Sequence, residues 1–108
     1  MDNVIQMLYD VILDRKRRPQ EGSYTCYLFE KGLDKILKKV GEESAETIIA
    51  AKNGVKEETV GEISDLVYHL LVMMADCEIP ISAVMEELER RSRKIGNLKQ
   101  FHTTDKDS

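Results

Sequence analysis

The sequence predicts an all-α fold, a bundle of four to five helices completed by homodimerisation. Three observations predict it. Apolar residues recur at helical spacing over four stretches, and no run alternates apolar with polar residues as a half-buried strand would. The two prolines, Pro19 and Pro80, fall where that periodicity lapses.

The first helix is expected from about Asp2 to Arg17, on the spacing of Val4, Leu8, Val11 and Ile12. It closes in Arg15-Lys16-Arg17-Arg18, where cations suit the negative end of the helix dipole. Pro19 to Gly22 reads as a loop, and Ser23 and Thr25 are placed to cap the second helix. That helix is expected from about Thr25 to Lys52, with Gly32 as a bend and Asn53-Gly54 as its stop. Its apolar arc holds Leu33, Leu37, Val40, Ile48 and Ala51, and Tyr24 and Tyr27 are expected to pack as aromatic core by default, with stacking on a nucleotide base as the other reading. A third runs from about Lys56 to Glu78, after which Ile79-Pro80 forces a turn. Ile63, Leu66, Val67 and Leu70 to Ala75 surround nearly its whole axis, apart from His69. A helix apolar all round belongs at the centre of a bundle. So short a chain covers it incompletely, so the expectation is a homodimer in which this helix packs on a partner copy. The fourth helix carries Ile81, Val84, Met85, Leu88 and Ile95 and ends near Gly96-Asn97. Residues 1–97 then form one domain, and 98–108 a polar, flexible tail.

Composition excludes several function classes. The chain has 108 residues, 42% apolar and 33% charged, with a net charge of −4, which opposes a generic nucleic-acid binder. Its longest nearly apolar run, Leu66–Ala75, falls short of the roughly 20 residues a membrane helix needs. The start, MDNVIQMLYD, is no secretory signal. Cys26 and Cys77 form no CxxC pair, and two histidines make no Cys/His cluster. That supports neither zinc nor a disulfide, and suggests two small core thiols in a cytoplasmic protein.

The polar exceptions on the third helix are not scattered. Glu58, Glu62, Asp65, His69 and Asp76 fall within an arc of roughly 60°. On the second helix Glu43 borders the apolar arc, with Glu46 one step further round. Residues three apart are neighbours, so Glu43 pairs with Glu46 and Glu62 with Asp65. Folding the two helices as a hairpin at Gly54 sets the pairs opposite each other. Four carboxylates beside a core repel and resist desolvation, so they call for protons or cations. Oxygen-only ligands favour Mg²⁺, or Mn²⁺. A di-iron carboxylate bundle is excluded, because no Glu precedes His69 or His102 by three residues.

Glu43-x-x-Glu46, fifteen residues, then Glu62-x-x-Asp65 matches the ExxE…ExxD pattern of the MazG-type all-α nucleotide pyrophosphohydrolases. The stretch SYTCYLFEKGLDKILKKVGEESAETIIAAKNG, followed by EISDLVYHLLVMMA, resembles the phosphoribosyl-ATP pyrophosphohydrolase family, over about Val4 to Ile95. The resemblance implies a MazG-like dimer of helical chains and Mg²⁺. It also implies hydrolysis of phosphoribosyl-ATP to phosphoribosyl-AMP and pyrophosphate, the second step of histidine biosynthesis. It implies Glu43, Glu46, Glu62 and Asp65 as metal ligands, Glu42 as an adjacent acid, and a stand-alone form without a cyclohydrolase segment. Glu43 or Glu46 is expected to position or deprotonate the attacking water.

Cations must offset so acidic a site if it takes a triphosphate; Lys39 and Arg91 are the chosen phosphate ligands. His69 either orients a metal ligand, contacts substrate, or is satisfied within a dimer interface. Ser23 and Thr25 are candidate substrate contacts besides their capping role. The dimer can pair further into a higher oligomer. Two other readings remain open: a house-cleaning (d)NTP pyrophosphatase using the same acids, and a non-catalytic helical dimerisation module.

Overall fold

The computed structural model describes residues 3–95, so the expectation of a flexible tail at 98–108 lies outside the described residues. Five helices run in order: α1 (Val4–Arg17), α2 (Tyr24–Lys31), α3 (Leu33–Asn53), α4 (Lys56–Asp76) and α5 (Ile81–Ile95). No strand occurs among the described residues.

The second predicted helix is two. Gly32 sits at φ 95°, ψ 179°, a conformation that only glycine adopts without strain, so the chain breaks there instead of bending. The α2 helix starts under a Ser23 cap, whose Oγ accepts a hydrogen bond from the Cys26 amide at 3.2 Å. The α3 helix stops at Gly54, left-handed at φ 77°, whose N–H donates to the Ala50 and Ala51 carbonyls. Only Gly54 and Val55 separate α3 from α4, and these two helices make the most extensive packing in the chain. At its far end α4 gives way to a turn in which Glu78 takes φ 60°. Tyr9 of α1 pins this turn by donating its hydroxyl to the Ile79 carbonyl at 2.5 Å.

The core draws on all five helices. Ile12, Leu28, Ile36 and Val72 are fully enclosed, with Tyr9, Leu71, Met74, Ala75 and Ile81 around them. Full burial of such side chains contributes about 1.5–3 kcal/mol each. The core sits against the second half of α4, which is buried within its own chain.

Three expectations fail here. The inward line of α3 is Ile36, Glu43 and Ala50, seven residues apart, whereas Leu37 and Ile48 are 44% and 69% exposed. The widest apolar arc of α3 therefore does not mark its buried face. Tyr24 and Tyr27 are not core: both are exposed, with stacked rings whose centroids lie 6.1 Å apart. The two thiols are free but not core either, Cys26 being half-buried and Cys77 exposed. No single helix among the described residues is long and apolar enough to cross a membrane.

Candidate metal and phosphate site

The α3–α4 hairpin sets Glu43 and Glu46 against Glu62 and Asp65. Carboxylate oxygens from Glu43, Glu62 and Asp65 lie within 4.8 Å of one another. Glu46 stands beside them, close enough to push the Glu43 and Glu62 carboxyls above their usual range.

Glu43 is the unusual member. It stands between Ile36 and Ala50 on the buried line of α3 and is only 6% exposed. Its Oε2 is buried without a hydrogen-bond partner. Burial holds its carboxyl above the usual range; Glu46 and Asp65 push the same way, and Lys39 pulls back. Glu62 is raised as well, first by desolvation and then by Glu46. An orphaned buried carboxylate oxygen aimed among other carboxylates is a group short of a cation.

Lys39 is the cation the chain supplies. Its Nζ lies 3.3 Å from Glu42 Oε1 and 3.7 Å from Glu43 Oε1, and the Glu42 contact chiefly raises its own pKa. Glu42 thus stands beside the cluster, tied to Lys39. On the open side the acids border a groove of about 540 Å³, lined by Glu46, Ile49, Glu58, Glu62 and Asp65 among others. Glu58, on the acidic stripe of the sequence but not among the expected metal ligands, lines this groove. The signal for it was present: Glu58 lies four residues before Glu62 and so on the same face.

His69 is buried at 4% exposure, and both of its ring nitrogens find partners within its own chain. Its Nδ1 lies 2.7 Å from the Asp65 carbonyl, which can only accept, so Nδ1 carries the proton. Its Nε2 then accepts from the Tyr24 hydroxyl at 2.9 Å. This bond ties the start of α2 to the helix that carries Asp65. Thr25 hydrogen-bonds the Tyr68 hydroxyl beside it. Ser23 is occupied as the α2 cap and lines a separate cleft of about 560 Å³ with Pro19, Gly22, Tyr24 and Tyr27. Arg91 stands apart from the cluster, on α5, with its Nε 2.8 Å from Glu87 one turn back. The structure thus groups Glu43, Glu46, Glu62, Asp65, Lys39 and Glu42, sets His69 and Thr25 behind them, and leaves Arg91 outside.

Sequence comparisons agree with the geometry. A family profile described as Phosphoribosyl-ATP pyrophosphohydrolase matches residues 5–92. A Phosphoribosyl-ATP pyrophosphatase of Clostridium botulinum is 57% identical over 103 residues, covering 95% of this chain and 94% of the relative. A protein of the same name from Listeria monocytogenes is 59% identical over 88 residues, 82% of this chain and 84% of the relative. The Histidine biosynthesis bifunctional protein HisIE of Thermoanaerobacter pseudethanolicus is 64% identical over 84 residues, 78% of this chain but 39% of that longer protein.

Proposed function

This chain belongs to the phosphoribosyl-ATP pyrophosphohydrolase family, and from that membership we propose that it hydrolyses phosphoribosyl-ATP to phosphoribosyl-AMP and pyrophosphate, in the cytoplasm, within histidine biosynthesis. Among structural observations, the convergence of Glu43, Glu46, Glu62 and Asp65 carries the reading, with one oxygen of Glu43 buried and unpaired.

The donor set fits a hard divalent ion: carboxylate oxygens alone, clustered on two rigid helices, in charge excess over the single Lys39. Glu43, Glu46, Glu62 and Asp65 would hold Mg²⁺, or Mn²⁺, which would supply charge neutralisation for the phosphate oxygens and acidify a water molecule. The protein's own groups do the rest. The Glu43–Glu46 pair orients the attacking water and accepts its proton. A bond forms from the water oxygen to phosphorus, the α–β anhydride bond breaks, and pyrophosphate leaves. Lys39, 3.7 Å from Glu43, offsets part of the negative charge of the carboxylate cluster. His69 and Tyr24 hold the α4 backbone at Asp65 in place through their hydrogen bonds.

We propose that the active form is a homodimer, open to further pairing. Val4, Met7 and Val11 of α1, Ile48 of α3 and Val60 of α4 are 49–69% exposed, and covering them with a second copy would remove that apolar surface from water.

The test is pyrophosphate release from phosphoribosyl-ATP beside a panel of NTPs and dNTPs, each with Mg²⁺ and with EDTA. Mg²⁺-dependent release from phosphoribosyl-ATP alone supports the proposal. Preference for an ordinary nucleotide keeps the site chemistry but overturns the substrate, and no release from any substrate overturns the activity.

A further inference from the structure

We infer that the cleft between the loop at residues 19–22 and α2 takes the adenine of the substrate and selects it as a cation, with Tyr24 and Tyr27 against the ring and Glu21 and Glu30 facing its charge. The inference rests on the proposed phosphoribosyl-ATP pyrophosphohydrolase reading and deepens it by naming what sets that substrate apart from ordinary nucleotides.

The α2 helix builds the cleft by turning Leu28 into the core and leaving its other side bare. Tyr24, Tyr27 and Glu30 recur every three residues, so they stand along one side of the helix. With Gln20 and Glu21 of the preceding loop they line a space of about 560 Å³, a size that holds a small molecule. Tyr24 and Tyr27 are 45% and 41% exposed. Their rings are close to parallel, with an interplanar angle of 23°, but at a centroid separation of 6.1 Å they are offset, and each leaves part of its face open.

Every charged side chain on the cleft wall is an acid: Glu21 and Glu30 line it, and no Lys or Arg does. Neither acid takes part in an ion pair among the described residues. Such a wall repels phosphate. It suits a flat group that carries positive charge, because aromatic faces and carboxylates both attract cations. Tyr27 already shows this preference, with Lys31 Nζ 5.8 Å from its ring centroid.

The adenine of phosphoribosyl-ATP has that character, and the adenine of ATP or a dNTP does not. The second ribose is joined to ring nitrogen N1. An adenine substituted there keeps a proton at neutral pH and shares its positive charge between N1 and the exocyclic nitrogen, whereas an unsubstituted adenine is neutral. The cleft also lies on the correct side of the acids. Burial chiefly raises the pKa of the Tyr24 hydroxyl, and the charges of Lys39 and Glu43 act on it next, which places the hydroxyl beside the carboxylate cluster. That hydroxyl donates to His69 Nε2 at 2.9 Å, while the ring of the same tyrosine lines the cleft. Cleft and acids thus flank one tyrosine, as base and phosphates flank one ribose in a nucleotide.

The experiment compares N1-methyl-AMP with AMP by isothermal titration into the full chain in Mg²⁺, and follows pyrophosphate release from phosphoribosyl-ATP on the same protein. N1-methyl-AMP carries the cationic base without the second ribose, so it reads the charge alone. The wild type is expected to bind it about 10-fold more tightly than AMP, the size that cation–π contacts and two carboxylates reach together. Tyr27→Leu, and the double change Glu21→Gln with Glu30→Gln, should each bring that ratio toward one and raise KM for phosphoribosyl-ATP with kcat little changed. All three positions are exposed, and circular dichroism checks that both variants fold. A wild type that turns over phosphoribosyl-ATP but binds the two monophosphates equally overturns the inference and leaves the proposed function standing. Folded variants that keep the wild-type ratio and KM overturn it too. A wild type that prefers N1-methyl-AMP yet releases no pyrophosphate overturns the proposed reaction and supports the selectivity of the cleft.

Discussion

Replacing Glu43 by Gln should stabilise the metal-free protein while destroying its activity. The change keeps the side chain's size and removes its charge. In the folded chain that charge is 6% exposed, within 4.8 Å of carboxylate oxygens on Glu62 and Asp65 and beside Glu46. At that separation each like-charge pair costs about 1–3 kcal/mol, taking an effective dielectric between that of water and about 20. Lys39, 3.7 Å from Glu43, offsets roughly one such pair. The net expectation is a gain of about 1–2 kcal/mol at neutral pH, or roughly 5–10 °C in Tm for a domain of this size. The sign with pH is set by the raised pKa of Glu43. The folded chain holds the proton more tightly than the unfolded chain, so the wild type loses stability as pH rises from the unfolded carboxylate range through the folded value. The advantage of Glu43→Gln should therefore vanish near pH 4 and grow above it. Thermal melts in EDTA across pH 4–8 read this directly. A Gln variant that melts at or below the wild type at neutral pH refutes the claim that this carboxylate is held against its own charge.

The same geometry sets four further outcomes. Gly32→Ala should cost about 1–3 kcal/mol, because φ 95° with ψ 179° excludes a side chain on backbone grounds alone; nothing lies within 4 Å of the added Cβ, so denaturant melts read the strain directly. Ile36→Ala should lose about 2–5 kcal/mol by urea unfolding, since the side chain is fully enclosed and its cavity has little room to collapse. Tyr24→Phe strips the buried His69 of its hydroxyl partner and should cost about 1–2 kcal/mol, with the ring itself left in place. The Glu87 carboxyl, held down at about 2 by the Arg90 and Arg91 guanidinium groups, should titrate far below its ordinary range by NMR at low salt and move back upward at high salt. Its contribution to stability is present above the unfolded carboxylate range and is lost as pH falls toward 2.

Most of the helical layout was legible in the sequence because periodicity and punctuation agreed. The Asn53-Gly54 stop and the Ile79-Pro80 turn fall where the structure has them, and the basic end of α1 closes at Arg17 as expected. Gly32 was visible as a weak point, but whether a glycine bends or breaks a helix depends on its φ and ψ, which sequence does not carry. The acid pairs were legible from spacing of three on each helix and a short link between them. The depth of Glu43 was not. Helical-wheel reading located the widest apolar arc of α3, yet Leu37 and Ile48 on that arc lie in the open and the buried line passes through Glu43. Periodicity reports apolar faces; it does not say which of two faces meets the chain's own core and which is left bare. The Tyr24–His69 bond was equally hidden, since it joins residues 45 positions apart on helices whose relative placement only tertiary packing sets.

The central claim is that the α3–α4 hairpin gathers carboxylates for a divalent cation. Isothermal titration of Mg²⁺, and of Mn²⁺, into metal-free protein at neutral pH tests it most directly. Wild type should bind, and Glu62→Gln and Asp65→Asn should each weaken binding by about 10-fold or more, as loss of one charged ligand on a hard ion requires. Equal affinity in wild type and both variants, or no binding to the wild type, would contradict it.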